Sequence, residues 1–309
     1  MKFENFKQHV VGKGAKEVGE EITKGIEKYW EKGRERHEGE LEKTPEELEV
    51  IATINEYLKQ EFEEMGIKDT PSINPEQIHI LPPEIFKKYS KNGSGVYSPM
   101  YNSTICKREE NRLQLYKTML HECVHMVSAQ KYHADIKKKD ISEYRTGYGL
   151  KNVMDQHEHF RGLNEAITEN ITKDILHKNK DNLIKKFNIP EEESNNTNLS
   201  YTDYRAILNV IIKKVAKYKG EDEAIVWKRI KKGQFTGEMM HLRDIEKTFG
   251  KGSLRVLASL GSGTKDLPEE EINEKILRYF TIEDIAERDS IAHKVLVERE
   301  RFRYIQRKK

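Results

Sequence analysis

The chain has 309 residues, of which 36% are hydrophobic and 35% are charged, and its formal net charge is +2. This length allows one large core or two modest ones, while the small net charge gives no general reason to expect nucleic acid or an acidic membrane as a partner. Two cysteines are too few for a disulfide framework, and no apolar run approaches the roughly 20 residues that cross a bilayer, so we expect a cytoplasmic protein without a membrane span.

Residues 1–44 alternate lysine and glutamate and carry six glycines. Because each glycine inside a helix costs about 1 kcal/mol relative to alanine, a helix here would be weak or broken. We predict a charged helical extension that is loosely held against the rest of the protein. A second hypothesis is that this extension acts as an inhibitory segment.

Residues 45–180 are predicted to form a subdomain that begins with a capped helix. Thr44 suits the N-cap position, and Pro45 suits the first helical position. Apolar residues then recur at helical spacing, at Ile51, Ile54, Leu58 and Phe62.

Two strand regions and two further helices make up the rest of this subdomain. Strands are predicted around residues 78–80 and within residues 95–107. Residues 112–130 form the clearest helix, because two neighbouring apolar rows give it a broad core-facing side. Residues 144–160 are typical of a hairpin or a long loop, and a helix over residues 163–176 follows.

After a polar loop the chain is predicted to be helical almost to its end. Residues 198–263 form a helical C-terminal subdomain, whose first helix is capped by Ser200 and ended by Gly220. The glycine-rich segment 261–263 marks a boundary, and residues 264–309 form a charged helical tail. The basic residues of the tail alternate with glutamates and carry no recognition motif, so no nucleic-acid partner is predicted.

The helix over residues 112–130 carries the motif His-Glu-Cys-Val-His at positions 121–125. His121 and His125 are one turn apart, so both imidazoles can reach one metal ion from the same face. Glu122, one position round the helix, can approach a water molecule near that ion without ligating it, which is the geometry of a general base. The alternative is a pair of histidines on a solvated helix face, and the apolar character of this helix argues against it.

A second motif supplies a candidate third ligand. Residues 164–169 read Asn-Glu-Ala-Ile-Thr-Glu, and with the first motif they resemble the gluzincins, the zinc peptidases of which thermolysin is the best known. The resemblance implies that Glu165 is the third zinc ligand, that Glu169 holds a zinc histidine by its other ring nitrogen, and that Asn164 supports the ligands. Glu165 and Glu169 also share one helical face, away from the stripe formed by Ile167, Ile171 and Ile175.

Two histidines, one glutamate and an open position are the pattern of a catalytic rather than a structural zinc site. The resemblance therefore implies Zn²⁺ as the cofactor. It covers the two motif helices only. The chain departs from thermolysin-like enzymes in the longer gap, about forty residues, between His125 and Glu165, and in having Glu rather than Asp at position 169.

The resemblance also implies where a substrate would bind. Zincin peptidases hold an extended peptide along an edge strand just before the first motif helix, and residues 95–107 occupy that position here, with an ordinary sheet edge as the equal alternative. A hydroxyl or imidazole should stabilise the oxyanion of the tetrahedral intermediate. The candidates are Tyr148, Tyr201 and His241. We select Tyr201, because a helix start that follows the ligand helix can face back on the cleft.

The predicted fold is α+β, with a zincin-like catalytic unit of a small mixed sheet and the first motif helix, followed by a mostly helical C-terminal subdomain. The predicted function is that of a zinc-dependent metallopeptidase acting on a peptide or protein substrate. The alternatives are a zinc hydrolase of a non-peptide amide and a helical partner-binding protein with a vestigial zinc site. The intact Glu122 favours an enzyme, because a purely structural site needs no base.

Overall fold

The computed structural model describes residues 10–11, 20–91, 93–135, 140–151, 158–190, 192–193, 200–262 and 268–307. Within these ranges the chain is α+β, with many helices and two small sheets, which confirms the predicted fold class. Most of the first nineteen residues of the predicted extension lie outside the described residues. So do residues 152–157 of the predicted hairpin and Gly263 at the predicted boundary.

The elements follow one another along the chain with strands concentrated in the first half. The strands are β1 Val10–Val11, β2 Ile78–Leu81, β3 Gly95–Ser98, β4 Ser103–Lys107, β5 Gln130–Asp135, β6 Asp140–Thr146, β7 Gly149–Lys151 and β8 Glu158–His159. The helices of the first part are α1 Glu20–Lys32, α2 Pro45–Glu64, α3 Pro83–Phe86, α4 Arg112–Val127 and α5 Arg161–Lys186. The later helices are α6 Thr202–Lys219, α7 Glu223–Thr236, α8 Arg243–Phe249, α9 Ser253–Leu257, α10 Glu269–Thr281 and α11 Ile285–Arg307.

Contacts group the described residues into two compact units. Those in Met1–Glu143 and Ile171–Leu199 form the first unit, and those in Tyr144–Asn170 and Ser200–Lys309 form the second. The subdomain boundaries given by the sequence stay predictions. No helix in the described ranges is both long and apolar enough to cross a bilayer.

A three-stranded sheet in the first unit has the strand order β2-β4-β3. β2 runs parallel to β4, and β3 runs antiparallel to it, with Gly95 opposite Cys106. β3 is therefore an edge strand, as predicted for part of residues 95–107, while β4 is central. Helix α4, which follows β4 in the chain, packs against both strands.

A second sheet has the strand order β1-β5-β6-β7-β8. β1 is parallel to β5, while the pairs β6–β7 and β7–β8 are antiparallel. Arg145 lies opposite Leu150, and Thr146 lies opposite Gly149 across the tight turn. The described part of residues 144–160 is thus a hairpin, which was one of the two forms predicted for it.

Helix α2 begins where the sequence predicts. The Thr44 side chain accepts a hydrogen bond from the backbone N–H of Glu47, and the Glu47 carboxylate accepts one from the backbone N–H of Thr44. This reciprocal capping box satisfies two backbone donors that the helix itself leaves open. The helix buries the apolar stripe predicted for it, at Ile51, Ile54, Leu58 and Phe62.

Helix α1 is not loosely held, so that prediction is wrong for the described part of the extension. Ile26 and Trp30 are buried with Tyr132 and Ala134 of β5 and with Val10 of β1 in one hydrophobic cluster. The glycines weaken the helix as a local structure, but burial of a tryptophan and an isoleucine stabilises it through tertiary packing. The hypothesis of an inhibitory role stays a prediction.

Helix α6 shows a second difference at its start. The N-cap is Tyr201, in a left-handed conformation with φ +56°, and it makes no side-chain capping bond. Ser200, the predicted cap, instead donates its backbone N–H to the Glu169 carboxylate. Gly220 ends the helix with φ +65°, as predicted. The described part of the tail contains two helices, Glu269–Thr281 and Ile285–Arg307, in keeping with the predicted helical character.

Candidate metal centre

The two histidines of the first motif lie on a buried helix. Asn111 caps α4 by accepting the backbone N–H of Gln114 at 2.8 Å, and the apolar residues that follow bury the helix on nearly every side. His121, Glu122 and His125 are each only 7% exposed. The alternative of two histidines on a solvated face is therefore wrong. Burying such groups is costly unless they are hydrogen-bonded, paired or coordinated to a metal.

The structure brings the three predicted ligands together. One ligand atom each of His121, His125 and Glu165 lies within 4.8 Å of the other two. The two imidazole rings are 4.9 Å apart between centroids and inclined at 72°. Among the described residues, this is the one group of three or more histidine, cysteine, aspartate or glutamate side chains placed to hold a metal.

The donor set fits zinc. Two imidazole nitrogens and one carboxylate oxygen bind Zn²⁺ at about 2.0–2.2 Å, which places the ligand atoms of a tetrahedral site about 3.4 Å apart. His121, His125 and Glu165 are thus the residues that would hold the ion.

Glu122 lies directly against the edge strand. A Cβ atom on residue 95 would lie 2.5 Å from Oε1 and 2.7 Å from Cγ of Glu122, so only glycine fits there without displacing the carboxylate. Gly95 is the first residue of β3. The sequence analysis did not single out Gly95, and the only signal available was a glycine at the start of a predicted strand.

Two buried thiols lie near Glu122. Burial, and then the negative charge of Glu122, raise the pKa of both Cys106 and Cys123 well above the ordinary range. Both cysteines are free. Both thiols therefore stay protonated at neutral pH.

The start of α5, which carries Glu165, is fixed by backbone hydrogen bonds. Phe160 donates to the carbonyl of Ala258 at 3.2 Å, and Gly162 donates to the carbonyl of Leu260 at 3.0 Å. Phe160 has φ +59°, an uncommon value for a residue with a side chain. These bonds set the direction in which the helix leaves the preceding segment, and hence the position of Glu165.

Asn164 and Glu169 have identified partners around α5. The Asn164 Oδ1 accepts hydrogen bonds from the backbone N–H of Tyr148 at 3.0 Å and from Nε2 of Gln234 at 3.1 Å. The Glu169 carboxylate, which is 1% exposed, accepts the backbone N–H of Ser200 at 2.9 Å. Asn164 thus supports the ligand helix by tying it to the hairpin and to α7. The predicted interaction of the Glu169 carboxylate with the second ring nitrogen of a zinc histidine stays a prediction.

Arg161 lies near the third ligand and was missed by the sequence analysis. Burial alone would lower the pKa of its guanidinium, but the carboxylates of Glu158 and Glu165 raise it above the ordinary value. Arg161 therefore places a positive charge beside the predicted metal ligand Glu165.

The three candidates for oxyanion stabilisation differ in their surroundings. Tyr148 is fully buried, and its hydroxyl bonds to the carbonyl of Ile230 at 3.0 Å and to Nε2 of His241. Two of the candidates are therefore partners of each other inside the second unit. Tyr201 is 37% exposed and stacks on Tyr204 with ring centroids 5.4 Å apart. Its selection stays a prediction.

Comparison of the chain with models of protein families, with curated proteins and with solved structures found no match. The likeness to gluzincins consequently rests on the two motifs and on the cluster of His121, His125 and Glu165.

Proposed function

We propose that this protein is a zinc-dependent metallopeptidase. The observation that carries the proposal is that His121, His125 and Glu165 lie close together. Glu122 is buried on the same helix as the two histidines. When bound, zinc would supply a Lewis acid that polarises a carbonyl group and makes water nucleophilic near neutral pH.

Glu122 is proposed as the general base and acid. Its carboxylate takes a proton from the attacking water and returns it to the leaving amine as the peptide bond breaks. The close packing of Gly95 against this side chain limits the directions in which the carboxylate can point. Holding the base in one orientation reduces the entropy that is lost on reaching the transition state.

The substrate is proposed to bind as an extended peptide along β3. This strand pairs with β4 on one side only and ends the described three-stranded sheet on the other. Its free main-chain groups can pair with a peptide, as in other cases of strand addition. Because Gly95 begins β3, a peptide paired with the strand would pass close to Glu122.

Replacing Glu122 by glutamine tests the proposal. Glu122→Gln keeps the size of the side chain but removes its basicity, so we expect peptide hydrolysis to fall by about 10²–10⁴-fold. The measurement is kcat on a quenched-fluorescence peptide library, with Glu84→Gln, an exposed glutamate on α3, as the matched control.

Each result has a clear consequence. Activity that requires Glu122 supports the proposal. An equally active Glu122→Gln variant would contradict the assignment of the base. Hydrolysis of small non-peptide amides without hydrolysis of any peptide would favour the alternative zinc hydrolase. A zinc-loaded wild type inactive on both substrate classes would favour a partner-binding protein with a vestigial site.

A further inference from the structure

A cavity lies in the first unit, between the N-terminal half of α4 and the C-terminal part of α5. Its volume is about 210 Å³, and it is lined by Leu113, Lys117, Lys173, Leu176, His177, Lys180 and Leu183. None of these residues belongs to the candidate metal centre, and none has a role in the proposed peptide hydrolysis.

The cavity combines a mainly apolar floor with a basic rim. Leu113, Leu183 and Lys117 are 3%, 4% and 3% exposed, so two leucines and one lysine form the buried walls. Lys173 and His177 are exposed and Lys180 is half-buried, so these side chains lie towards the mouth. No carboxylate lines the cavity. The lining therefore matches a molecule with an aliphatic body and an anionic head.

The basic side chains of the rim share one face of the helix. Lys173, His177 and Lys180 follow one another at spacings of four and three, which places them on one face of α5. Other lysines of α5 form ion pairs with α2, where Lys178 pairs with Glu64 and Lys186 with Glu49.

We propose that this cavity binds a small amphiphilic anion, namely a carboxylate or a phosphate monoester on an aliphatic chain. The chain would occupy the leucine-lined floor, and the head group would accept hydrogen bonds from the lysines at the rim. Lysine binds either head group as a point charge, so the lining selects for charge and an apolar body rather than for one acid. The volume lies below the usual range for drug-sized ligands, which limits the ligand to a short chain.

Calorimetric titration of the full chain with octanoate and with octyl phosphate tests this proposal. We expect saturable one-to-one binding of at least one of them, with Kd on the order of a millimolar or tighter. The double variant Lys173→Gln/Lys180→Gln should weaken binding at least about tenfold, because it removes two of the rim charges. Lys185→Gln, an exposed lysine of the same helix outside the cavity, is the matched control and should bind as the wild type does.

Two comparisons separate this site from the metal centre. A carboxylate could also ligate zinc, so the titrations are repeated on Glu165→Ala, where binding to the cavity should persist. Octyltrimethylammonium has the same chain with the opposite charge and should not bind. The proposal is overturned if neither anion binds the wild type, if the double variant binds equally well, if Glu165→Ala abolishes binding, or if the cationic analogue binds as tightly. It does not depend on whether the protein cleaves peptides.

Discussion

The role of Gly95 in the candidate site depends on its contact with the side chain of Glu122. This glycine begins the edge strand, and it leaves no room for a side chain beside the Glu122 carboxylate. The methyl group of Gly95→Ala would have to push that carboxylate out of its position. A displaced base should be a poor one, because shifts of about 1 Å from productive geometry can cost about 10²-fold in rate.

We therefore predict that Gly95→Ala lowers kcat by about 10²-fold while zinc binding and the thermal melting temperature change little. Gly25→Ala is the control, since a Cβ atom on residue 25 would meet nothing within 4 Å. That variant should keep full activity. An active Gly95→Ala enzyme would show that Glu122 does not need its present position.

The ligands were predictable at the residue scale and several neighbouring contacts were not. His121, His125 and Glu165 sit in motifs whose spacing alone places them on helix faces. Gly95 reaches the site through tertiary packing, which leaves no pattern in the sequence, so its role required coordinates. Arg161 precedes Glu165 by four positions on the same helix, and this spacing was a signal available in the sequence.

At the element scale, α1 shows why local propensity misled the sequence analysis. Its glycines predict a weak helix, yet Ile26 and Trp30 are buried against β5. Packing of an amphipathic face commonly contributes more to helix stability than propensity does. In α6 the N-cap is Tyr201 rather than Ser200, whose backbone N–H donates to the carboxylate of Glu169, a contact that the local sequence does not indicate.

Truncating the buried tryptophan of α1 measures how firmly this helix is held. We predict that Trp30→Ala lowers the free energy of unfolding by about 3–5 kcal/mol, through lost burial and the cavity left behind. Lys28→Ala, on the exposed face of the same helix, should change it by no more than about 0.5 kcal/mol. Urea unfolding followed by fluorescence gives both values. Equal effects of the two substitutions would contradict tight packing of α1.

At the scale of the whole molecule, stability should fall on acidification because of two groups, the half-buried His241 and the buried Glu40. Burial, and then the positive charge of Arg229, lower the pKa of His241 to about 4. For Glu40, burial alone would raise the pKa of the carboxyl, but hydrogen bonds from His79 and from the backbone of His37 lower it to about 2.

Both groups make the folded state less stable as the pH falls, because each binds protons more readily in the unfolded chain. The contribution of His241 is present above about pH 6.5 and is lost as the pH falls towards about 4. That of Glu40 is present above about pH 4.5 and is lost as the pH falls towards about 2.

We predict that Glu40→Gln flattens the acidic part of the curve of unfolding free energy against pH, whereas the exposed Glu42→Gln leaves that curve unchanged. Unfolding free energies measured at intervals from pH 7 to pH 3 check this, and parallel profiles for wild type and Glu40→Gln would refute it.

The general architecture followed from the sequence, since the capped helix α2, the motif helix α4 and the hairpin strands each have a local signal. The order of strands in the two sheets has no such signal, because it depends on which segments meet in space. The convergence of α4 and α5 at the metal ligands was predicted only through the resemblance, and it is the feature on which the proposed function depends.

Metal content is the measurement that tests this account most directly. Purified wild type, Glu165→Ala and Glu122→Gln should be analysed by inductively coupled plasma mass spectrometry after dialysis against zinc and then against metal-free buffer. We predict near-stoichiometric zinc in wild type and in Glu122→Gln, and loss of zinc in a Glu165→Ala protein whose circular dichroism spectrum is unchanged. A wild type that takes up no zinc, or a Glu165→Ala variant that retains it fully, would contradict the proposed centre.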